Sequence, residues 1–337
     1  MYFNMIDHPV RMLGERPLSR EFYIAGLKKI IYAKMGLPNS GVKRAARKGQ
    51  VMGCAFLDNQ HANKELASLI GGDKPFFLSR YGATEFSLCV TRELIQHGVT
   101  DGYNISDLDK GKKNSGIFPK DPKTMAIFTD EYISALKKAD MNAYWGQLVL
   151  EEYIGKKLFS STCKQHTMRA LEPFQYDDPW TGALEGKKVL VVHPFADLIQ
   201  YQYTIREQLF SNKKILPLYE LYTIQAVQSS GETIPTQYNS WMDALDSMAE
   251  KCLAIDFDIA LLGCGSYAVP LGARLKDCGK KAIVLGGMLQ LLYGIKGERW
   301  ERSRPDIVAL YNEAWIRAGE QYKIKGTEKM ADGAAYW

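Results

Sequence analysis

Cysteine is sparse. Six cysteines (Cys54, Cys89, Cys163, Cys252, Cys264 and Cys278) are scattered over 337 residues, and no two are spaced C-x-x-C. That excludes a zinc knuckle and a thioredoxin-type redox motif. No run of about 18 uncharged apolar residues occurs, so no transmembrane helix is expected. Asp7, His8 and Arg11 interrupt the N-terminus before an apolar segment forms, so no secretory signal is expected and the thiols should be reduced in a cytoplasmic protein. Internal repeats and low-complexity tracts are missing. The G-x-S-x-G, H-E-x-x-H, Walker A and protein-kinase signatures are missing too, which removes the commonest hydrolase, protease and phosphotransferase readings.

What is present is ordinary globular material. Hydrophobic residues make up 46%, charged residues 24% and aromatics 11%, which excludes a disordered, collagenous or coiled-coil chain. A chain this long buries a full core without metal or disulfide staples. The net charge of +5 is unevenly placed: residues 1–50 carry ten Lys/Arg against three Asp/Glu. Phe22 to Met35 mixes apolar residues with Lys28, Lys29 and Lys34, and Lys43, Arg44, Arg47 and Lys48 follow. Such a basic, apolar stretch fits either a helix packed on the domain with a solvated basic face or a helix on an anionic inner-leaflet surface. No interleaving of basic and aromatic residues marks a nucleic-acid groove.

From residue 74 on, short apolar runs alternate with helical stretches. Strands are expected at Pro75–Ser79, Lys188–His193, Ile215–Leu218, Asp258–Leu262 and Ala282–Leu285, with a weaker one at Tyr144–Leu148. Helices are expected at Ala83–His97, Pro122–Ala139, Ala196–Phe210, Ser240–Leu253, Val269–Asp277 and from Met288, and Gly98–Asp121 reads as a long loop. This alternation predicts an α/β fold: a Rossmann-like, mostly parallel sheet flanked by helices, with a helical basic N-terminal arm and a helical C-terminal tail. The division expected is an arm over 1–72, a catalytic domain over 73–300 and a tail over 301–337.

In such sheets ligands sit at the carboxyl ends of strands. Four turns lie there. Gly263 and Gly265 in LLGCGSYAVPLG, with Ser266 and Tyr267, form a strand–glycine–helix turn that suits a phosphate. Dinucleotides, S-adenosylmethionine and sugar nucleotides all use this device. The carboxylate that holds ribose hydroxyls about 20 residues later is missing, because that place reads Leu285, Gly286, Gly287, Met288. In SRYGATEF, Arg80 can pair with phosphate and Glu85 can take a proton or bind a divalent cation. His193 can hydrogen-bond a diphosphate or act as a base. Lys296 and Arg299, beside Gly294 and Gly297, suit an anion or a plain surface loop. Asp177–Asp178 reads as a metal-binding pair or a solvated turn.

These turns, in this order, resemble the bacterial glycosyltransferase family with the GT-D fold, over roughly residues 74 to 300. The chain is also similar to proteins of capsule and surface-polysaccharide gene clusters. In that family an early strand ends in an Arg-Phe-Gly-Asp-Gly-Glu type motif. SRYGATEF takes its place, and Arg80, Gly82 and Glu85 match. Ala83 replaces the Asp and Thr84 the second Gly. The resemblance implies transfer of a sugar from a nucleotide-sugar donor to a glycan or lipid-linked acceptor. It implies Glu85 and Arg80 as catalytic residues and Gly82, His193, Gly263, Gly265, Ser266, Tyr267, Gly286, Gly287, Lys296 and Arg299 as donor-binding residues. It also implies Mn²⁺ or Mg²⁺ held by Glu85, with one carboxylate fewer than the family uses. Two other readings stand beside it: an S-adenosylmethionine-dependent methyltransferase, and a non-catalytic nucleotide-binding scaffold.

Overall fold

Seven short segments form one sheet in which every pair is parallel. They are β1 (Phe77–Ser79), β2 (Met141–Tyr144), β3 (Lys164–Thr167), β4 (Lys188–His193), β5 (Glu220–Gln225), β6 (Ile259–Leu262) and β7 (Lys281–Val284). Their spatial order is β3-β2-β1-β7-β6-β4-β5. The computed structural model describes residues 40–148, 150–323 and 326. The expected basic helix over Phe22 to Met35 lies outside them, as does the chain from 327 on.

The central strands read as unbroken apolar runs because both faces of the sheet are covered. Leu190, Val192, Ala260, Leu262, Ala282 and Val284 point into one core. Val189, Val191, Ile259, Leu261 and Ile283 point into the other. The first core is closed by α3 (Ala83–Gln96), α5 (Pro122–Leu136), α8 (Trp241–Leu253) and α9 (Ala268–Asp277), through residues such as Phe86, Phe128, Trp241 and Leu271. The second is closed by α2 (Asn59–Gly71), α7 (Ala196–Thr204) and α10 (Met288–Leu292), through Leu66, Ile199 and Leu289. The caps follow the sequence: Asp58, Asp121 and Ser240 each accept the backbone N–H three residues on.

These layers place the site. Along β4, β6, β7 and β1, neighbours in that order, the chain leaves to opposite faces in turn. It enters α7 on the second face, α9 on the first, α10 on the second and α3 on the first. Crevices therefore open at the carboxyl ends of these four strands.

Four local expectations change. The strand expected at Tyr144–Leu148 ends at Tyr144, where the chain turns through Gly146. The strand expected at Ile215–Leu218 starts instead at Glu220, beyond Pro217, which has no N–H for the ladder. The polar strand β3 was not expected. Gln165 is buried there by a ladder in which Ser79 donates to Asn142 (2.5 Å) and Asn142 to Gln165 (2.7 Å). The long loop Gly98–Asp121 contains α4 (Ile105–Ser115), opened by an Asn104–Asp107 capping box and closed by left-handed Gly116.

The ends of the chain are less separate than the division at 72 and 300 suggests. In α1 (Ser40–Lys48), Ala45 is buried while Lys43, Arg47 and Lys48 are exposed. Phe56 bridges Gln165 at the β3 edge, and α2 is a core helix. Ile307, Trp315 and Ala318 enter the second core, and Ile316–Arg317 pairs with Ile295–Lys296. Beyond Ser303 the helices of the described tail are only short turns, because Pro305 and the asparagine and glycine at 312 and 319 break it.

Candidate functional site

The turn after β1 is built around its glycine. Gly82 is the N-cap of α3, and Glu85 sits in the first helical turn, where the helix dipole favours a negative charge. The carboxylate folds back over Gly82 so closely that a Cβ at 82 would collide with Oε2. Glu85 is 8% exposed. Burial pushes its pKa up, against the smaller lowering influences of the Ser115 hydroxyl and of its own backbone N–H. A carboxyl with a raised pKa is a stronger base when ionised, and it holds its proton to a higher pH.

Arg80 crosses from β1 to β7. Its Nη1 donates to the Leu285 carbonyl at 3.0 Å. It also lies against Gly286, whose φ of +59° and lack of a side chain make room for the guanidinium. The β6 and β4 ends meet in the same place. A Cβ on Gly263 would stand 2.5 Å from His193 Cδ2 and 3.1 Å from the Gly286 carbonyl. The Arg80, His193, Gly263 and Gly286 turns are thus in contact, as the strand-end argument expects.

His193 is buried, and its Nδ1 accepts the Phe195 N–H at 3.0 Å. Burial lowers its pKa to about 3. The ring is neutral at physiological pH, and the proton is left on Nε2. His193 can therefore donate a hydrogen bond but does not serve as a base in this tautomer.

The side chains of Ser266 and Tyr267 are already occupied. Ser266 Oγ donates to the Ser115 carbonyl (2.6 Å) and accepts Trp241 Nε1–H (3.0 Å). Tyr267 shares a 2.7 Å hydrogen bond with Ser229 and stacks on Trp241. This turn offers a ligand its backbone, with Gly265 at φ +60°. Gly287 begins α10 beside Gly286. Lys296 Nζ lies 5.5 Å from the Tyr311 ring centroid, and Arg299 is in the following helix Glu298–Ser303. Asp177 and Asp178 are exposed, and Asp178 pairs with Lys214 at 2.8 Å.

A divalent cation does not fit these residues. Hard cations need several oxygen ligands. Glu85 is one desolvated carboxyl, the neighbouring position is Ala83, and no group of three His, Cys, Asp or Glu suited to a metal exists among the described residues.

The residues missed from sequence are Ser115, Ser229, Tyr132 and Trp241. The Ser115 hydroxyl is one of the influences that lower the Glu85 pKa. Buried Tyr132 senses both Glu85 and Arg80. The Asn104–Asp107 spacing and Gly116 are the local signals that place Ser115 at the end of a helix.

No protein-family model and no curated protein matches the chain. Several solved chains are similar to it. A selenomethionine-substituted structure of domain of unknown function 1792 is 10% identical, with a TM-score of 0.45, covering 80% of this chain and 97% of that one. A glycosyltransferase of the same domain type from Streptococcus sanguinis is 11% identical, with a TM-score of 0.43, covering 80% and 96%. A third, described as having a distinct glycosyltransferase fold, is 11% identical, with a TM-score of 0.42, covering 80% and 97%.

Proposed function

We propose that the chain is a glycosyltransferase that moves a sugar from a nucleotide-sugar donor to a glycan or lipid-linked acceptor of a surface polysaccharide. The observation that carries this reading is the junction of four strand ends, in which Arg80, His193, Gly263 and Gly286 are in contact and the turn that carries Arg80 also carries one buried carboxyl, Glu85. The hydrogen-bond donors Arg80 and His193 suit a diphosphate, on which charge builds as the anomeric bond breaks. The acceptor hydroxyl attacks the anomeric carbon. The bonding pair of the old C–O bond goes to the diphosphate, and Glu85 takes the hydroxyl proton. Arg80, held on the Leu285 carbonyl, faces the leaving group. No step is assigned to a metal ion. The end of β7 has no carboxylate for ribose hydroxyls, which disfavours a methyltransferase.

We also place the acceptor side at an anionic membrane surface. Lys43, Arg47 and Lys48 are exposed on α1, and the chain before it is basic. Among the described residues no helix is long and apolar enough to cross a membrane.

The test is a thermal-shift panel of uridine, guanosine and cytidine sugar nucleotides, NAD and S-adenosylmethionine, each with and without Mn²⁺ or Mg²⁺. Ligand at about 100 times its Kd stabilises by about 2.7 kcal/mol. A metal-independent shift with one sugar-nucleotide class, and release of its nucleoside diphosphate, is expected. A shift with S-adenosylmethionine alone contradicts the proposal. Binding of a donor without transfer to any acceptor makes the chain a scaffold.

A further inference from the structure

The glycine turn after β6 and the carboxyl after β1 belong to different strands, yet one buried path joins them. Ser266 Oγ–H donates to the carbonyl of Ser115, the last residue of α4, at 2.6 Å. Carbonyls at a helix end have no partner within the helix, so this bond fixes the end of α4. On the other side of Ser266, Trp241 Nε1–H donates to the same Oγ at 3.0 Å, and the Trp241 backbone N–H donates to the Phe118 carbonyl at 2.7 Å. The Trp241 ring lies flat on Tyr267, with centroids 4.9 Å apart and planes 6° apart. Gly116 then lets the chain pass Ser229, because a Cβ there would collide with it.

Ser115 and Ser266 are each 4% exposed. The end of α4 also meets the first turn of α3 beside Glu85, where Asn114 Nδ2 donates to Thr84 Oγ1 at 3.5 Å, and the Ser115 hydroxyl lowers the Glu85 pKa against the larger effect of burial. The other titratable groups near that carboxyl are Tyr132 from α5 and Cys89 from its own helix.

We propose that Ser266 is a positioning residue: it holds the end of α4, and with it Ser115, against Glu85, so that the glycine turn and the carboxyl are set as one unit. Occupation of the turn is thereby transmitted to Glu85 without a ligand atom touching it. The functional half of this rests on the glycosyltransferase reading, whereas the structural half does not.

The test uses the full-length protein carrying [¹³C]carboxyl glutamate, with the Glu85 resonance identified by its loss in Glu85→Gln. Without ligand, Ser266→Ala is expected to move that resonance, Ser266→Thr to restore it, and Ser115→Ala to move it with the tie still made. If Ser266→Ala does not fold, Trp241→Phe removes the N–H donated to Ser266 together with part of the ring stacked on Tyr267, and a shift of the same sign is expected. An unmoved Glu85 resonance in a folded Ser266→Ala or Trp241→Phe protein overturns the proposal.

Uridine 5′-diphosphate and guanosine 5′-diphosphate are then added as probes. The wild-type Glu85 resonance should move, whereas Ser266→Ala should bind the probe with a Kd within about twofold and leave the resonance in place. In turnover, kcat should fall about 10–100-fold at nearly constant KM, as expected of a displaced catalytic group. An equal loss in probe affinity would make Ser266 a ligand-binding residue and overturn the proposal. Failure of both probes to bind wild type would count against the glycosyltransferase reading, and the ligand-free spectra would still decide on Ser266.

Discussion

The turn after β1 and the turn after β6 follow the same plan and use their side chains differently. Both leave a buried strand through glycine and enter a helix on the same face of the sheet. The first sends Arg80 to the β7 turn and folds Glu85 over Gly82. The second sends Ser266 and Tyr267 inward, to Trp241, Ser115 and Ser229. One turn holds titratable groups. In the other, the side chains brace the neighbouring helices.

The sharpest way to break this contrast is Glu85→Gln. The change is nearly isosteric, so the fold should persist while transfer falls by about a hundredfold or more, the scale of general base catalysis. Full transfer activity would remove Glu85 from the mechanism. The same variant carries a stability signature. Burial raises the folded pKa of Glu85, so its favourable contribution is present below the unfolded value and is lost as pH rises through the folded one. Melting curves from pH 4 to 8 should show Glu85→Gln gaining on wild type as pH rises. A constant gap contradicts the assigned burial.

Gly263→Val comes next. Its side chain would meet His193, Leu289 and the Gly286 carbonyl. Overpacking of this kind costs about 1–3 kcal/mol. A fall in Tm of several degrees and loss of donor binding are expected in calorimetry and titration. Wild-type stability would show that this junction is open.

Acid pH gives a smaller effect. Burial lowers His193 to about 3 and His166 to about 4. The unfolded chain therefore binds more protons below the ordinary value of about 6.5. The stability that neutral imidazoles allow is full above that value and is lost as pH falls toward the folded ones. Nitrogen-15 spectra should show His193 neutral, with Nδ1 unprotonated, from pH 5 to 8. An imidazolium in that range would contradict the hydrogen bond from Phe195.

The smallest effect is expected at Lys296→Ala. A cation over a ring is worth about 0.5–1 kcal/mol at an exposed site. Its loss should lower the Tm slightly, with donor affinity nearly constant. A large fall in affinity would show that the basic segment after α10 reaches the donor.

Much of the fold was legible. KVLVVH, DIALL and AIVL are apolar on both faces because helices cover both faces, and such runs mark central parallel strands. Pro217 and the Asn104–Asp107 box were legible signals that the expected boundaries overlooked. β3 gave no such signal, because Gln165 is buried only through partners on other strands. In the site, residue types were legible and side-chain directions were not. Ser266 and Tyr267 stand in a strand–glycine–helix turn. What occupies them comes from residues 25, 151 and 38 positions away in the chain, which no local spacing records. Lys296 has the composition of an anion site, but the described contact for its charge is the Tyr311 ring.

The most direct test of the central claim is a map of amide and carboxyl resonances on titration with the sugar nucleotide that shifts the melting curve. The Gly263, Gly265, Gly286 and Gly287 amides are expected to move together with the Glu85 carboxyl, at one Kd and without added metal. Movement confined to residues away from these four strand ends, or movement only with S-adenosylmethionine, would contradict the account.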